Sequence, residues 1–356
     1  MNPTAKTTED ALENGPTNGH SVQKSARATA PVFVLGCGRS GTKFLYHTLL
    51  SAGGFAVYYA ESNAFNLLGL RFGNLARRAS RRRLLDAYYK SMLFERTGLA
   101  PADIEERVMN HCRNAGDFLR IVMEAIASKQ GEPRWAECTP LHLLYLPLIK
   151  KLVPDALVIH IIRDGRDVTA SLHRIGWIRP LPWDRSRDLL VPAIFWRWIV
   201  SKGRRYGQAM GGDYMEVHYE DAVLHPRETL ARISQFIEQD LDYDRVQKVA
   251  LGSLQNPNSS FRGDGKEAEA QTIGRWKKFT LEQIRGIESA IGDLLLATGY
   301  ELSTPPEQRR RKFAVSLMSV LYPLYWDFKL WLKSRTPLAR IAATGRMGAA
   351  KQNAAR

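Results

Sequence analysis

Two short apolar runs each lead directly into a polar loop that contains glycine. Residues Val32–Leu35 are all apolar and precede Gly36, and Leu157–Ile162 are apolar except for His160 and precede Arg163. Runs of this length and composition predict strands that are buried on both faces of a sheet. Such strands need helices on either side, so the two runs favour an α/β fold.

The segments between these runs carry apolar residues at intervals of three and four, which predicts helices. Two further short strands are expected at Phe55–Tyr58 and Met215–His218. Helices are expected over most of 64–130 and at Leu141–Leu152, Val191–Met210, Thr229–Ile237 and Leu281–Leu296. The alternation predicts a P-loop-like α/β fold in three layers, a central parallel sheet flanked by helices, with a C-terminal helical extension. Ligands of such sheets bind at the carboxyl ends of the strands.

Composition divides the chain into three parts. Residues 1–30 are rich in Thr, Asn, Ala and Gly and contain no apolar run, so we expect a disordered leader with no secretory or anchoring function. Residues 31–301 form the expected globular domain, and residues 302–356 form a basic, aromatic C-terminal extension. No internal repeat is found, and no run of about 18 apolar residues predicts a transmembrane helix.

The net charge of +15 is distributed unevenly. The first thirty residues are neutral, the globular domain carries +6, and the extension carries +9 from eleven basic and two acidic side chains. A mildly basic domain suits an anionic small molecule, whereas a concentrated basic extension suits an anionic surface. Cys37, Cys112 and Cys138 are far apart in sequence, which argues against a disulfide framework or a structural zinc and favours a reducing compartment.

The loop over residues 36–42 (GCGRSGT) is typical of an anion site. A strand, a glycine turn and a helix start together aim backbone N–H groups and the positive end of a helix dipole at one point. The outer glycines have Walker A spacing, but Thr42-Lys43 follow where that motif has Lys-Ser or Lys-Thr. The spacing of Gly36, Gly38 and Gly41 also matches a GxGxxG dinucleotide-binding loop, and this alternative is not excluded by spacing alone. A plain tight turn is the remaining alternative, and the phosphate-binding side chains of the RSGT segment argue against it.

A second phosphate-binding pattern follows the predicted strand Leu157–Ile162. Arg163 ends the strand and Ser171 lies eight residues later on the next predicted helix, so both side chains can converge on one phosphate. The alternatives are a surface salt bridge of Arg163 with Asp164 or Asp167, and an ordinary surface hydroxyl at Ser171.

Together the two stretches resemble the sulfotransferases that use 3′-phosphoadenosine 5′-phosphosulfate (PAPS), most closely the protein-tyrosine and bacterial branches. Other matching segments follow in family order at residues 135–140 (WAECTP), 217–221 (VHYED) with His225-Pro226, 274–280 (GRWKKFT) and Gly299-Tyr300. The match covers residues 31–301. It implies sulfuryl transfer to a hydroxyl-bearing acceptor, with PAPS as co-substrate and no metal.

The resemblance also implies which residues contact PAPS. Arg39 is the expected catalytic cation at the leaving 5′-phosphate, and Lys43 either faces the same group or points to solvent. The implied PAPS-binding residues are Arg39, Ser40, Gly41, Thr42 and Lys43 for the 5′-phosphosulfate, Arg163 and Ser171 for the 3′-phosphate, Trp276 or Phe279 for adenine, and Lys277 for a further phosphate contact.

Glu61 is the expected general base that removes the acceptor proton. It follows the second predicted strand, close to where protein-tyrosine sulfotransferases carry their catalytic glutamate. Partial burial beside a sulfonate donor is expected to raise the pKa of this carboxyl group. A helix cap, or a salt bridge near Arg71, is the alternative role.

The sequence departs from the family at Cys138, where relatives have a lysine that bridges to the transferring sulfonate. The missing positive charge would have to come from Lys43, Arg39 or another residue, or else the activity differs. We interpret Cys138 as a small buried residue rather than a nucleophile. Other bases that remain open are Glu137, His142, His160 and His173.

The extension contains an apolar, aromatic segment at residues 313–331 that is flanked by basic residues and interrupted by Pro323. One interpretation is a pair of interfacial helices on an anionic membrane surface. The other is a single helix docked on the globular domain or on another subunit.

The expected protein is thus a cytoplasmic PAPS-dependent sulfotransferase, peripheral on the inner face of a membrane, with an acceptor that is a lipid, a glycan, a peptide tyrosine or a small metabolite. Nucleic acid is not an expected partner, and an oligomer stays open. The alternatives are a nucleotide kinase or other NTP-binding enzyme, and a protein that binds the product 3′-phosphoadenosine 5′-phosphate (PAP) without turnover.

Overall fold

A computed structural model describes residues 25–176, 178, 181, 188–249, 272–309 and 313–336. Its centre is a five-stranded sheet in which all neighbouring strands are parallel. The strands are β1 (Val32–Gly36), β2 (Phe55–Ala56), β3 (Arg134–Glu137), β4 (Leu157–Ile162) and β5 (Tyr214–His218). They lie in the order β2-β3-β1-β4-β5 across the sheet.

Helices connect the strands. Those before β4 are α1 (Ala26–Thr29), α2 (Thr42–Ala52), α3 (Gly69–Arg71), α4 (Arg78–Tyr89), α5 (Met92–Glu95), α6 (Glu105–His111), α7 (Ala115–Gln130) and α8 (Leu146–Leu152). Those after β4 are α9 (Gly165–Ile175), α10 (Leu190–Gln208), α11 (Tyr219–Leu224), α12 (Pro226–Ile237), α13 (Tyr243–Val249), α14 (Leu281–Ala297) and α15 (Phe313–Arg335). A π-helix covers Ala64–Leu68, and 3₁₀-helices cover Pro101–Asp103, Pro140–Tyr145, Gly211–Asp213, Arg275–Lys278 and Pro306–Arg309.

The sheet is buried on both faces, as the apolar runs predicted. Alternate side chains of β1 enter different clusters: Val32 and Val34 pack with α2, α11, α12 and α13, whereas Phe33 and Leu35 pack with α7, α9, α10 and α14. All four side chains are fully buried. The expected three-layer α/β fold is therefore confirmed, because a strand covered by helices on both sides excludes polar residues from both faces.

Two predicted elements have different bounds. β2 stops at Ala56 because the side chain of Gln130 binds the next residue, accepting from Val57 N (2.7 Å) and donating to Val57 O (3.0 Å). The helix expected at Leu141–Leu152 is divided into a 3₁₀-helix and α8. Pro147, which lacks an N–H, occupies the first turn of α8, where no donor is required.

Residues 25–30 are part of the folded structure. Arg27, within α1, donates to the carbonyl oxygens of Phe236 and Gly212 and forms an ion pair with Asp213 (3.1 Å). Residues 25–30 therefore belong to the folded body, which corrects the expected leader boundary. The remainder of the expected leader lies outside the described residues.

Within the C-terminal extension, residues 313–335 dock on the globular domain as one helix, which is the second of the two interpretations. α15 runs through Pro323 and packs against α10 and α14. Trp326 lies edge-on to Phe195 (5.2 Å between ring centroids) and beside Trp198 (5.4 Å). Asp327 accepts from the indole N–H of Trp198 (2.9 Å) and pairs with Lys202 (2.9 Å). None of the described helices is both long enough and apolar enough to cross a bilayer.

Candidate functional site

The site lies along one edge of the sheet because parallel strands place their carboxyl ends together. The loop 36–42 follows β1, Glu61 follows β2, Cys138 follows β3, Arg163 follows β4 and Tyr219 follows β5. The loop, Glu61, Cys138 and Arg163 thus share this edge, where ligands of open α/β sheets bind.

Two glycines of the loop are required by close approach. A Cβ atom on Gly36 would lie 2.5 Å from the carbonyl oxygen of Ile161. Gly41 has φ 95°, in the left-handed region, and a Cβ atom there would lie 2.4 Å from the ring of Tyr219. The loop can therefore pass between β4 and Tyr219 only because these positions have no side chain.

We expect Gly41→Ala to lower the free energy of unfolding by about 2 kcal/mol, because alanine is strained at this φ and would displace the Tyr219 ring. Gly38→Ala is the matched control, since a Cβ atom there meets nothing within 4 Å. Urea denaturation of both variants measures the difference. Equal stabilities for the two would contradict this explanation of the loop.

The loop presents donors that have no protein partner within the described part of the chain. Gly41 caps α2 without a side-chain hydrogen bond, so the first N–H groups of that helix point out of its end. The Ser40 hydroxyl is fully buried and has no hydrogen-bond partner there. A buried polar atom without a partner is rare in proteins. Beside the N–H groups at the start of α2, this hydroxyl fits the anion site that the sequence predicts.

Arg39 links the loop to the second predicted phosphate contact. It adopts φ 74°, uncommon for a residue other than glycine. Its Nε donates to the hydroxyl of Ser171 (3.0 Å), and its carbonyl oxygen accepts from Arg163 Nη1 (3.2 Å). The structure therefore brings Arg39, Arg163 and Ser171 together, although 124 residues separate the two arginines.

Four arginines surround this point, two of which the sequence analysis did not identify. Burial lowers the pKa of Arg39, and the positive charges of Arg163, Arg174 and Arg275 lower it further. Burial, together with Arg163 and Arg174, also lowers the pKa of Arg275. Mutual repulsion of this kind favours binding of an anion with more than one negative charge.

Arg163 is held in position by several groups. Its Nη2 donates to the carbonyl oxygen of Thr272, and its guanidinium lies over the ring of Tyr219, 4.5 Å from the centroid. The carboxylate of Asp167 is 3.8 Å away. Within the described residues, Arg163 Nε is buried without a partner. Asp164 instead pairs with Arg166 (2.8 Å). Of the salt bridges considered for Arg163, the one with Asp167 is therefore present, but it is buried rather than on the surface.

Asp167 joins the segment 274–278 to the start of α9. Its two oxygens accept from the backbone N–H groups of Gly274 (2.7 Å) and Trp276 (3.0 Å). This clamp brings Arg275 to the arginine cluster. The Trp276 ring is covered on one face by the Arg166 guanidinium, 3.8 Å from its centroid, and Phe279 packs against the core. Of the two aromatic candidates for adenine, only Trp276 therefore lies at the site edge.

The three remaining PAPS candidates have distinct environments. Thr42 is buried in the first turn of α2, whereas Lys43 beside it is exposed. Lys277 is exposed and its aliphatic stem lies against Gly274.

Glu61 and Lys43 lie near the thiol of Cys138. Burial raises the pKa of Cys138 well above its ordinary value; Glu137 and Glu61 raise it further and Lys43 lowers it. Cys138 is thus a buried, neutral thiol, in agreement with the interpretation as a small core residue. The charge of Lys43 acts at the position where relatives carry their lysine.

Glu137 is a structural carboxylate rather than a base. One oxygen accepts from Ser62 Oγ (2.8 Å), Thr139 N (3.0 Å) and the Thr139 hydroxyl, and the other contacts His142 Nδ1 (3.0 Å). Burial would raise the pKa of Glu137, but His142, Thr139 and Ser62 outweigh it and lower the pKa to about 2. A carboxylate so strongly held in the charged form is a poor proton acceptor.

Glu137 should make stability depend on pH in acid. Because its pKa is lowered from 4.5 to about 2, its contribution is complete above about pH 4.5 and is lost as the pH falls towards about pH 2. We expect Glu137→Gln to lower the free energy of unfolding by about 3 kcal/mol near neutral pH and by much less at the acid end. Urea denaturation across this range measures the change. A constant difference would contradict it.

Two of the three histidine candidates, His142 and His160, are engaged elsewhere. His142 Nε2 accepts from the backbone N–H of Phe65 (3.2 Å), so both ring nitrogens of this buried side chain are used. His160 is buried in β4, where burial and then Arg204 lower its pKa to about 3, and its Nδ1 contacts Tyr214 (2.6 Å). His173 is half-buried on α9. Glu61 therefore remains the foremost base candidate.

A signal for the missed arginines was present in the sequence. Arg174 follows Ser171 by three residues, which places both on the same face of α9. Arg275 lies in the GRWKKFT segment, where the flanking tryptophan and lysines drew attention instead.

Comparison with known proteins adds family evidence. A sequence model described as "Sulfotransferase family" matches residues 31–243. Protein-tyrosine sulfotransferase A of Caenorhabditis elegans is 23% identical over 249 residues, covering 63% of this chain and 64% of that protein. The chain spans 45–64% of the length of the curated relatives that it matches.

Solved structures were compared as well. The sulfotransferase domain of the Synechococcus PCC 7002 olefin synthase has a TM-score of 0.44 at 18% identity, covering 83% of this chain and 94% of the other. Retinol dehydratase, in a complex with retinol and PAP, has a TM-score of 0.38 at 16% identity, covering 78% and 84%.

Proposed function

The chain belongs to the sulfotransferase family, and we propose that it transfers a sulfuryl group from PAPS to a hydroxyl-bearing acceptor. The observation that carries the proposal is the pair of anion-binding groups on one sheet edge. A glycine loop with an unpartnered buried hydroxyl lies beside a cluster of four arginines and Ser171. PAPS has a phosphosulfate at one end of the adenosine and a phosphate at the other.

The loop fits the 5′ end of PAPS. The N–H groups at the start of α2, the Ser40 hydroxyl and Thr42 would bind its phosphate oxygens. Lys43, exposed in the first turn of α2, would add a positive charge on the side of Glu61 and Cys138. These donors act without a metal because the charge on a leaving phosphate is neutralised by cations and N–H groups alike.

The arginine cluster fits the 3′-phosphate. Ser171 and Arg163 supply the expected contacts, and Arg174 and Arg275 add positive charge to the same place. Arg39 has its backbone in the loop and its side chain on Ser171, so it lies between the two halves. The exposed part of Trp276, whose other face is covered by Arg166, would stack on adenine.

The chain's own chemical task is positioning and proton removal. When PAPS is bound, the bond between sulfur and the phosphate oxygen breaks, and the acceptor oxygen bonds to sulfur. Glu61 takes the proton that the acceptor hydroxyl loses. The loop would hold the leaving 5′-phosphate and the arginine cluster the 3′-phosphate, so that entropy is lost on binding rather than in the reaction.

The test is calorimetry with PAP and with ATP plus Mg²⁺, followed by incubation of radiolabelled PAPS with a panel of hydroxyl-bearing lipids, glycans, tyrosine peptides and phenols. We expect PAP to bind at least about 100-fold more tightly than ATP, because the 3′-phosphate engages the arginine cluster. Tighter binding of ATP would favour a nucleotide kinase. PAP binding without transfer to any acceptor would favour a non-catalytic binding protein.

A further inference from the structure

The docked helix α15 has a second apolar face that points away from the domain. Seven large side chains on this face, most of them three or four residues apart, are each between 44% and 82% exposed. We call them the outer stripe: Phe313, Leu317, Val320, Leu321, Leu324, Phe328 and Trp331. At 1.5 Å per residue they form an apolar strip about 27 Å long.

The opposite face already accounts for the contacts that hold α15 on the domain. Val315, Tyr322 and Trp326 are buried beneath the helix, half a turn away from the outer stripe. A contiguous exposed patch of this kind on a folded domain marks an interaction surface. The outer stripe is therefore available for a partner outside the domain.

Charge identifies the kind of partner. The only acidic residue of α15, Asp327, is paired with Lys202 (2.9 Å). Four consecutive basic residues precede α15 in the sequence, at 309–312, and the whole extension carries +9. Two chains with extensions of this charge repel each other, whereas anionic lipid attracts such an extension and accepts apolar and aromatic side chains beside the headgroups.

We propose that the outer stripe inserts into an anionic membrane surface, so that α15 lies in the plane of the bilayer interface. The apolar side chains supply burial and the basic residues supply attraction to lipid headgroups. This arrangement needs no membrane-spanning helix.

The same helix ends on the segment that carries the candidate base. Lys333 Nζ donates to the carbonyl oxygen of Asn66 (2.6 Å), and the Asn66 amide donates to Asn63 Oδ1 (2.9 Å). Asn63 in turn donates to the carbonyl oxygen of Glu61 (3.0 Å). The helix that would lie on the membrane is thus joined by hydrogen bonds to the segment of the candidate base, which favours an acceptor delivered from the bilayer. On the proposed function, on which this step rests, the acceptor is a hydroxyl-bearing lipid.

The docking test is flotation of the full chain with vesicles of phosphatidylcholine, alone or mixed with phosphatidylglycerol. We expect binding to the anionic vesicles that falls with added salt. The triple variant Leu317→Gln/Leu324→Gln/Phe328→Gln should bind at least about tenfold more weakly, because three apolar side chains no longer leave water. The matched control, Leu224→Gln/Leu281→Gln/Leu296→Gln, removes equally exposed leucines elsewhere and should bind like wild type.

Two results would overturn docking: no flotation of wild type with anionic vesicles, or equal flotation of the triple variant. A dimer in light scattering that the triple variant dissociates, without flotation, would assign the stripe to a second copy instead. PAP affinity, which we expect to be unchanged in both triple variants, reports that the site remains folded.

The acceptor test offers diacylglycerol in anionic vesicles and a soluble phenol, with radiolabelled PAPS. We expect sulfuryl transfer to the lipid. In the outer-stripe variant the rate of this transfer should fall at least about tenfold, in proportion to the weaker membrane binding. Faster transfer to the phenol, or undiminished lipid sulfation by that variant, would refute the proposal of a lipid acceptor. Membrane docking would still be supported by the flotation result. Absence of PAP binding in wild type would instead refute the proposed function. The flotation experiment would still decide whether α15 docks on the membrane.

Discussion

Arg163→Ala should bind PAP about 100-fold or more weakly than the wild-type protein, a loss of about 3 kcal/mol, and should abolish transfer. The guanidinium is nearly buried and aligned by Thr272 and by the ring of Tyr219, so little ordering remains to be done when a phosphate binds. Without this guanidinium, the 3′-phosphate would lose both a positive charge and hydrogen-bond donors in a cleft that excludes water. Calorimetry with PAP measures the affinity.

Two companion variants separate charge from geometry. Arg163→Lys keeps the positive charge but lacks the planar guanidinium that can form two parallel hydrogen bonds to a phosphate. We therefore expect an affinity for PAP between those of wild type and Arg163→Ala. Arg227→Ala removes an arginine whose ion pair with Asp244 is exposed, and should bind PAP like wild type. If Arg163→Ala bound PAP as wild type does while keeping its melting temperature, the arginine cluster would not be the 3′-phosphate site.

The central part of this site was predictable because its two motifs are short and each directly follows a buried strand. The loop 36–42 and Arg163 follow β1 and β4, which are neighbours in the sheet. Parallel neighbours necessarily present their carboxyl ends at one edge. Local sequence therefore determined both the chemistry and the place, and the distance between Arg39 and Arg163 in sequence did not matter.

β3 was missed because its burial depends on distant partners. Its four residues, Arg134–Glu137, begin and end with a charge and give no apolar run. Arg134 is nevertheless buried, donating to the carbonyl oxygens of Ala30, Arg27 and Ile237. Those acceptors come from segments about 100 residues away, which no local pattern reveals.

The status of Glu137 and Arg275 could not be read from the sequence for the same reason. Glu137 resembles a base candidate until Ser62 and His142 are seen to occupy its oxygens. Arg275 joins the arginine cluster only because Asp167 fixes the backbone of its segment to α9. In both cases a side chain's role is set by hydrogen bonds across the fold.

Glu61→Gln should retain PAP affinity within about twofold and lose turnover by a factor of about 100 to 10,000, the range expected when a general base is removed. The substitution keeps the shape of the side chain and removes only its ability to accept a proton. Glu61 lies after β2, on the side of Lys43 and Cys138 and away from the arginine cluster, so the nucleotide contacts should be unaffected.

Glu137→Gln is the decisive comparison for Glu61→Gln, because both replace a carboxylate on the same sheet edge. Glu137 is already held by protein donors, so its replacement should reduce stability and leave the turnover of the folded fraction largely intact. Rates of sulfuryl transfer measured against pH add a second test, since removing the true base also removes the loss of activity in acid that its protonation causes. Full turnover in Glu61→Gln, with a loss in Glu137→Gln beyond its loss of folded protein, would exchange the roles of the two residues.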